Sequence, residues 1–475
     1  MSGRDSERIH PNLTLAVLSV AGLAYAVLSS AVVPALPTIQ HSLHTTENGV
    51  TWLLTGYLLS ASVGTAILGR LGDMYGKERL LVWTLGVLSV GTLLAAVSHT
   101  LLLLIVARVI QGLGGGIFPL AFGIIRDEFP REKVAGSIGL MSAILGIGGG
   151  VGIVAGALVV EHLSWHWLFW GPLAVTLAAT FCTWRFVPES PVRVPGRINW
   201  VAAALMSAGM TAVLLAVSET TAWGWVSART LLLLAAGLLL CVAWVAVEVR
   251  SREPLIDMAL MRIRGVWTAN VAAFLLGAGM YSSFVVFPQF AQLPKSTGFG
   301  FGASVVVSGL YLLPSTVGMV IVGFAAGSIA VRFGSKPALV VGSAITAGAF
   351  GLMAVAHSHP YDMLISAALM GVGIGLAFAA LGNLIVQAVD EHQTGVAGGM
   401  NTVMRTVGGA LGGQLTATLL STHTRNGLPT VGGFTASFAM STGFLIVCTL
   451  AALLVPGRRP SLRASTAGVA EAAEA

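Results

Sequence analysis

Long apolar runs separated by short polar segments set the pattern of this chain. A helix that crosses a bilayer needs about 20 mainly apolar residues. Fourteen stretches meet that need: 13–33, 50–69, 80–97, 100–124, 135–160, 166–187, 199–217, 230–248, 266–290, 303–327, 337–357, 361–388, 396–421 and 434–455. The pattern predicts an all-α membrane protein with 14 transmembrane helices. Ala24-Tyr25-Ala26 in the first run looks like a leader-cleavage site, but the apolar run continues past it and many spans follow, so an uncleaved first helix is expected.

Charge gives the expected orientation. Twenty of the 25 Lys and Arg residues fall in segments on one side of the fourteen spans, and Arg229, Lys295 and Arg425 fall on the other. Cytoplasmic loops carry the excess of Lys and Arg, so both termini are expected in the cytoplasm. The net charge of +6 is then a loop property and does not call for nucleic acid. Trp165, Trp167 and Trp170 are expected at the outer interface, where indole rings prefer to lie.

Over the 475 residues, 55% are hydrophobic and 9% charged, with a mean hydropathy of +0.86. Soluble domains carry roughly 25% charged residues, which excludes an ordinary soluble enzyme. Gly and Pro follow no period, which excludes collagen-like and disordered chains. Cys182, Cys241 and Cys448 lie in apolar stretches without metal-like spacing and are expected as packing residues. Arg far outnumbers Lys, and Ala and Gly are abundant, a composition typical of a GC-rich bacterial genome.

The chain also repeats itself. Gly69-x-x-x-Asp73-x-x-Gly76-Lys77-Glu-Arg79, between spans two and three, returns as Gly327 to Lys336 between spans ten and eleven. Val134-Ala-Gly136, Gly146 and Gly150 return as Val396-Ala-Gly398, Gly408 and Gly412. Spans one to six therefore pair with nine to fourteen, a repeat found in many secondary transporters. The expected organisation is a tail (1–12), a six-helix bundle (13–190), an inserted two-helix hairpin with linkers (191–257), a second six-helix bundle (258–456) and a disordered tail (457–475).

Three motifs carry a resemblance. Gly69-x-x-x-Asp73-x-x-Gly76-x-x-Arg79 resembles the signature cytoplasmic loop of the major facilitator superfamily, and Arg108-x-x-Gln111-Gly112-x-Gly114 its fourth-helix motif. The run from Gly148 through Gly152 and Gly156 to Ala157, with Trp165 and Phe169 following, resembles the fifth-helix antiporter motif. The count of six, two and six spans is similar to the fourteen-span drug:proton antiporter branch. Leu28 and Val33 stand where that branch carries an acid and an amide in its first helix, and Ile153 and Ala157 stand where its fifth-helix motif carries Pro and Gly. The resemblance implies the major facilitator fold, alternating access, a small-molecule substrate and protons as the coupling ion.

The acids lie in tails, in loops or at span ends, while Arg108 and Arg405 lie within spans. An Arg facing lipid at mid-depth costs about 2.5–3.5 kcal/mol on insertion scales, so both should face protein or a wet cavity. Embedded cations without embedded acids favour neutral or anionic amphiphiles. The resemblance places cavity walls on spans one, four, nine and twelve. The candidate pathway residues are Arg108, Gln111, Asn270, Gln289, Asn383, Gln387 and Arg405, with the aromatics Tyr25, Phe118, Phe274, Tyr281 and Phe284. Gly69, Asp73, Gly76, Arg79 and Asp127 form the candidate cytoplasmic gate, one-sided because Val331 stands where Asp73 does in the first repeat. Gly148, Gly152 and Gly156, four residues apart, are expected to let two helices approach closely.

No catalytic constellation, metal cluster or cofactor motif is legible, and the near P-loop around Gly72–Glu78 lacks the Ser or Thr that phosphate binding needs. His162, His166, His357 and His392 sit near span ends and read as surface histidines. The best reading is a monomeric secondary exporter of drug-like or secondary-metabolite amphiphiles in a bacterial cytoplasmic membrane, without nucleotide or nucleic acid. An uptake symporter or facilitator for a small metabolite, and a non-transporting scaffold or sensor, stand as alternatives. The orientation is directly testable. A cysteine replacing Arg425 should react with an impermeant thiol reagent in intact cells, and one replacing Ser461 only after the membrane is opened.

Overall fold

The computed structural model describes residues 11–189, 199–251, 254, 256–390, 393–425 and 428–456. The expected tails (1–10 and 457–475), the linker segment 190–198 and His392 lie outside the described residues. Among these, fourteen helical spans are long enough to cross a bilayer: Pro11–Ser42, Glu47–Tyr75, Lys77–Ala96, Leu101–Glu128, Arg131–His162, Trp167–Phe186, Trp200–Ser218, Ala228–Arg250, Arg264–Gln292, Val305–Leu310 continued by Leu313–Arg332, Ser335–Val355, Pro360–Ala388, Thr394–Thr422 and Val431–Leu454. Thirteen are also apolar enough by composition. The remaining one, Thr394–Thr422, is rich in Gly, Thr and amides and carries Arg405. With an even number of spans, both described chain ends lie on one face, called here the terminal face.

Helix ends are treated differently on the two faces. On the opposite face, spans two, four, eight, ten and fourteen start at Thr46, Thr100, Ser227, Ser304 and Thr430, whose hydroxyls accept a first-turn N–H. Such caps satisfy donors that the helix itself leaves unpaired. On the terminal face, span seven is capped by the Asn199 side chain, whereas spans three, five, nine, eleven and thirteen start without a side-chain cap. Their first turns depend on other groups.

Several details differ from the sequence expectation. The second span runs to Tyr75, so Gly69 to Tyr75 is helix rather than loop, and the chain turns only at Gly76, whose φ of 110° suits glycine. The fourth span tightens to a 3₁₀ turn over Leu113–Gly116, where consecutive glycines weaken α-helical order. Of the three indoles, Trp167 and Trp170 are exposed, but Trp165 is buried and donates to the Ser42 hydroxyl at 3.2 Å. Short helices at Thr220–Trp223 and Met258–Arg262, and a two-strand ladder of Thr424–Arg425 with Leu428–Pro429, had no signal in the apolar pattern.

The packing pairs recur. Span one packs on five and six, two on four, and three on four and six; nine packs on thirteen and fourteen, ten on twelve, and eleven on twelve and fourteen. Spans five and ten, and two and thirteen, join the two sets, while seven and eight pack on each other and seven touches two and thirteen. Glycines make the tightest crossings. A Cβ on Gly152 would stand 2.7 Å from the Val27 carbonyl oxygen, and one on Gly148 or Gly156 would collide with Ala26 or Ala31. Gly408 and Gly412 meet the Phe274 and Ala278 carbonyls of span nine in the same way. Overpacking such a site costs about 1–3 kcal/mol. Gly152→Ala should therefore lower the thermal midpoint in detergent by several degrees, whereas Gly171→Ala, with open space at its Cβ, should leave it unchanged.

Candidate functional site

The two sets of helices enclose a cavity of about 340 Å³. Its wall runs from mid-span to Val33, Ser218 and Leu312, near the opposite face. Spans one, four, nine and twelve contribute, as the resemblance implies, and spans two, five, seven, ten and thirteen contribute as well. Most of the lining is apolar or aromatic, and none of the lining residues is acidic. A pocket of this size and character suits a drug-sized molecule held by a few polar groups.

Arg405 is the cation of this cavity. Its guanidinium carbon lies 4.5 Å from the centre of the Phe378 ring, on the wall formed by span twelve. Cation–π contact of this kind is worth up to about 2 kcal/mol when desolvated. Tyr281 and Phe284 meet edge to face at 5.5 Å on the span-nine side, and Tyr25 stacks on Tyr57 at 5.9 Å on the other. Gln414 lines the cavity, and its side-chain amide oxygen is buried without a hydrogen-bond partner.

Arg108 lies behind this wall. It is fully buried, with its guanidinium carbon 4.2 Å from the Tyr57 ring centre. Its Nε donates to the Leu53 carbonyl at 3.1 Å, and its Nη1 donates to the Leu28 carbonyl at 3.0 Å and to Gln111 Oε1 at 2.9 Å. Gln111 in turn donates to the Thr92 hydroxyl. Charge-assisted bonds to carbonyls make this burial tolerable. Arg108 thus ties spans one, two and four together, with Tyr57 between it and the cavity.

Of the remaining pathway candidates, Tyr25, Phe118, Tyr281 and Phe284 line the cavity and Phe274 does not. Asn270 is buried and accepts a bond from Asn401. Asn383 donates to the Ala135 carbonyl at 3.0 Å, linking spans twelve and five. Gln289 is exposed, and Gln387 lines a separate cleft on the terminal face. Sequence reasoning missed Tyr57, Gln414 and the polar face of span thirteen. The low apolar content of that span was the available signal, since a helix rich in Thr, Asn and Gln inside a membrane needs polar company.

Toward the terminal face a separate small pocket of about 10 Å³, lined by Phe122 and Asn401, shares Phe118, Phe378 and Arg405 with the cavity wall. Beyond it the helix ends are in contact. A Cβ on Gly69 would stand 2.6 Å from the Gly395 carbonyl oxygen, and one on Gly395 would stand 3.0 Å from both Asp73 carboxylate oxygens. Asp73 thereby faces the uncapped start of span thirteen, where negative charge is favourable. Lys77, fully buried, lies 2.7 Å from Asp127 and 3.6 Å from Asp73. Arg79 pairs at 3.2 Å with Glu189, whose carboxylate sits beside Gly76 at the uncapped start of span three. Arg126 spans the two sets, donating to the Val389 and Asp390 carbonyls and the Thr394 hydroxyl. No motif had pointed to Arg126.

Two pseudo-repeated helix sets around a central cavity, closed at one face and reaching the other, define a multi-pass membrane transport protein rather than an enzyme. The model of the Major Facilitator Superfamily matches residues 18–413, and the chain belongs to that superfamily. It is 30% identical over 427 residues to the tetracenomycin C resistance and export protein of Streptomyces glaucescens, covering 89% of this chain and 78% of that one. It is 26% identical to multidrug resistance protein 3 of Bacillus subtilis (strain 168), covering 76% of this chain and 70% of that one. Among solved structures it resembles the human organic anion transporter MFSD10, with a TM-score of 0.67 at 15% identity over 93% of this chain and 99% of that one, a likeness of fold.

The buried and exposed charges of the closed face should respond differently to neutralisation. Removing one partner of a buried pair costs about 3–5 kcal/mol, whereas an exposed pair is worth about 0–1 kcal/mol. Asp127→Asn should markedly lower the thermal midpoint, while Arg79→Gln, with its side chain 66% exposed, should barely change it.

Proposed function

We propose that the chain exports drug-like or secondary-metabolite amphiphiles, neutral or anionic, by alternating access and in exchange for protons. The observation that carries the substrate class is Arg405, a cation on the wall of an aromatic cavity with no acidic lining residue. A carboxylate or phenolate would bind it directly. A hydrophobic cation would find no counter-charge there. The relatives named for resistance and export support the direction of transport.

In this proposal the terminal face is cytoplasmic, the membrane is a bacterial inner membrane and the monomer is the working unit. The six-helix bundles 13–190 and 258–456 move as two bodies, with the 191–257 hairpin riding between them. The described state is then outward-facing. Gly69, Asp73, Gly76, Arg79 and Asp127, joined by Arg126, form the inner gate, and the glycines of span five are the surface on which span one shifts. Tyr25, Phe118, Tyr281 and Arg405 contact substrate, while Arg108 and Gln111 position the Tyr57 wall from behind. An uptake symporter or facilitator remains the second reading, supported by the lack of a carboxylate in the cavity on which a proton and a substrate could compete.

Flux of one anionic, one neutral and one quaternary cationic probe, measured in proteoliposomes under an imposed pH gradient, tests both readings. Neutral and anionic flux should follow the gradient. Losing one charged hydrogen bond of about 1.5–3 kcal/mol should cut anionic flux in Arg405→Ala by about tenfold or more and change neutral flux much less. Saturable transport of the cation alone would overturn the substrate class, and flux indifferent to the gradient would replace the antiporter with a facilitator.

A further inference from the structure

A cleft of about 790 Å³ opens on the terminal face between the ends of spans nine, ten, eleven, twelve and fourteen. Arg264, Arg332 and Lys336 line it, and none of its lining residues is acidic. Lys336 Nζ donates to the Leu453 carbonyl at 2.8 Å and Arg264 Nε to the Leu454 carbonyl at 3.3 Å. Each thus spends one donor on the end of span fourteen and keeps others. Arg332 lies over the ring of Phe333, and both are exposed.

Ser335 supplies a second, independent observation. It is the first residue of the 21-residue helix Ser335–Val355, lines the cleft and is only 6% exposed, and its buried hydroxyl has no hydrogen-bond partner. Buried hydroxyls are ordinarily paired. Its neighbour Gly334 starts the helix with no side chain to cap it. An uncapped helix start, an unpaired hydroxyl and three cations converge on a space that favours an anion.

The first repeat shows what belongs there. Gly76 and Gly334 occupy matching positions, both with positive φ, 110° and 85°. Beside Gly76 stands the Glu189 carboxylate, paired with Arg79. Beside Gly334 the chain supplies no carboxylate among the described residues, and Lys336 stands where the first repeat has Glu78. The charge is inverted at an otherwise equivalent corner.

We propose that this cleft binds a phosphate anion, namely the headgroup of an anionic phospholipid from the adjoining leaflet. The position favours a lipid over a soluble ion. Five spans end at the cleft, and Phe333 and Trp267 are exposed beside it, on residues adjoining Arg332 and in the first turn of span nine. Aromatic rings settle at the headgroup level, and basic pockets between spans bind anionic headgroups on the cytoplasmic side. The bound lipid fills the place that Glu189 fills in the first repeat. This inference stands independently of what the central cavity carries.

The test is native mass spectrometry and thermal unfolding of the full chain in mild detergent. It compares added phosphatidylglycerol, phosphatidylcholine and inorganic phosphate. Phosphatidylglycerol alone should be retained and should raise the midpoint. Arg332→Gln/Lys336→Gln should weaken that retention by about tenfold, as expected for loss of charged phosphate contacts, and Ser335→Ala should weaken it less. Arg250→Gln, a terminal-face cation outside the cleft, is the control and should change nothing. Equal retention by wild type and double variant overturns the site, read on folded protein because Arg332 alone, being exposed, can be replaced without loss of packing. Equal stabilisation by inorganic phosphate overturns the lipid assignment. Binding that emerges only after deletion of 461–475, which carries Glu471 and Glu474, assigns the cleft to the chain's own tail and also overturns it.

Discussion

The close approach of backbones at glycine is the constraint on which the rest of this structure depends. In hydrocarbon, helices gain little by burying apolar surface against each other, so they associate through van der Waals contact and backbone proximity. Spans one and five meet through Gly148, Gly152 and Gly156, and spans nine and thirteen meet through Gly408 and Gly412. These crossings bring Tyr25 and Ser30 on one side, and Tyr281 and Arg405 on the other, to the wall of a single cavity. Any larger side chain at the crossings would widen both pairs and change the cavity's shape. At the first of these crossings the Ser30 hydroxyl also reaches the Gly148 carbonyl at 3.4 Å, so a shift of span one along span five must exchange that bond.

Much of the fold was legible because the membrane enforces it. Spans must be long, apolar and fully hydrogen-bonded within themselves, so fourteen runs in the sequence correspond to fourteen helices. The ends were less legible. Gly69 to Tyr75 reads as a polar connection, but its helix continues because Asp73 can be buried beside Lys77 and against the start of span thirteen. Lys77 is a local partner, four residues on, but the start of span thirteen belongs to the other helix set and leaves no signal near Asp73 in the chain. Arg126 is a similar case: its acceptors are two carbonyls and a hydroxyl more than 260 residues away.

The cavity was legible in kind and only partly in detail. Tyr25, Phe118, Tyr281 and Arg405 reach it, while Asn270 and Asn383 spend their amides on neighbouring helices. A buried amide signals that a partner exists but not whether that partner is backbone or ligand. Arg108 illustrates the same ambiguity in a charged group, since its Nε and Nη1 spend their donors on two carbonyls and Gln111 while its Nη2 is buried without a partner.

Arg126 has a further consequence, for how the two helix sets can part. Its guanidinium holds three acceptors, the Val389 and Asp390 carbonyls and the Thr394 hydroxyl, through bonds that are part-buried or exposed. Water can therefore replace each acceptor as the contact breaks, and separation at this point strips no polar group of a partner.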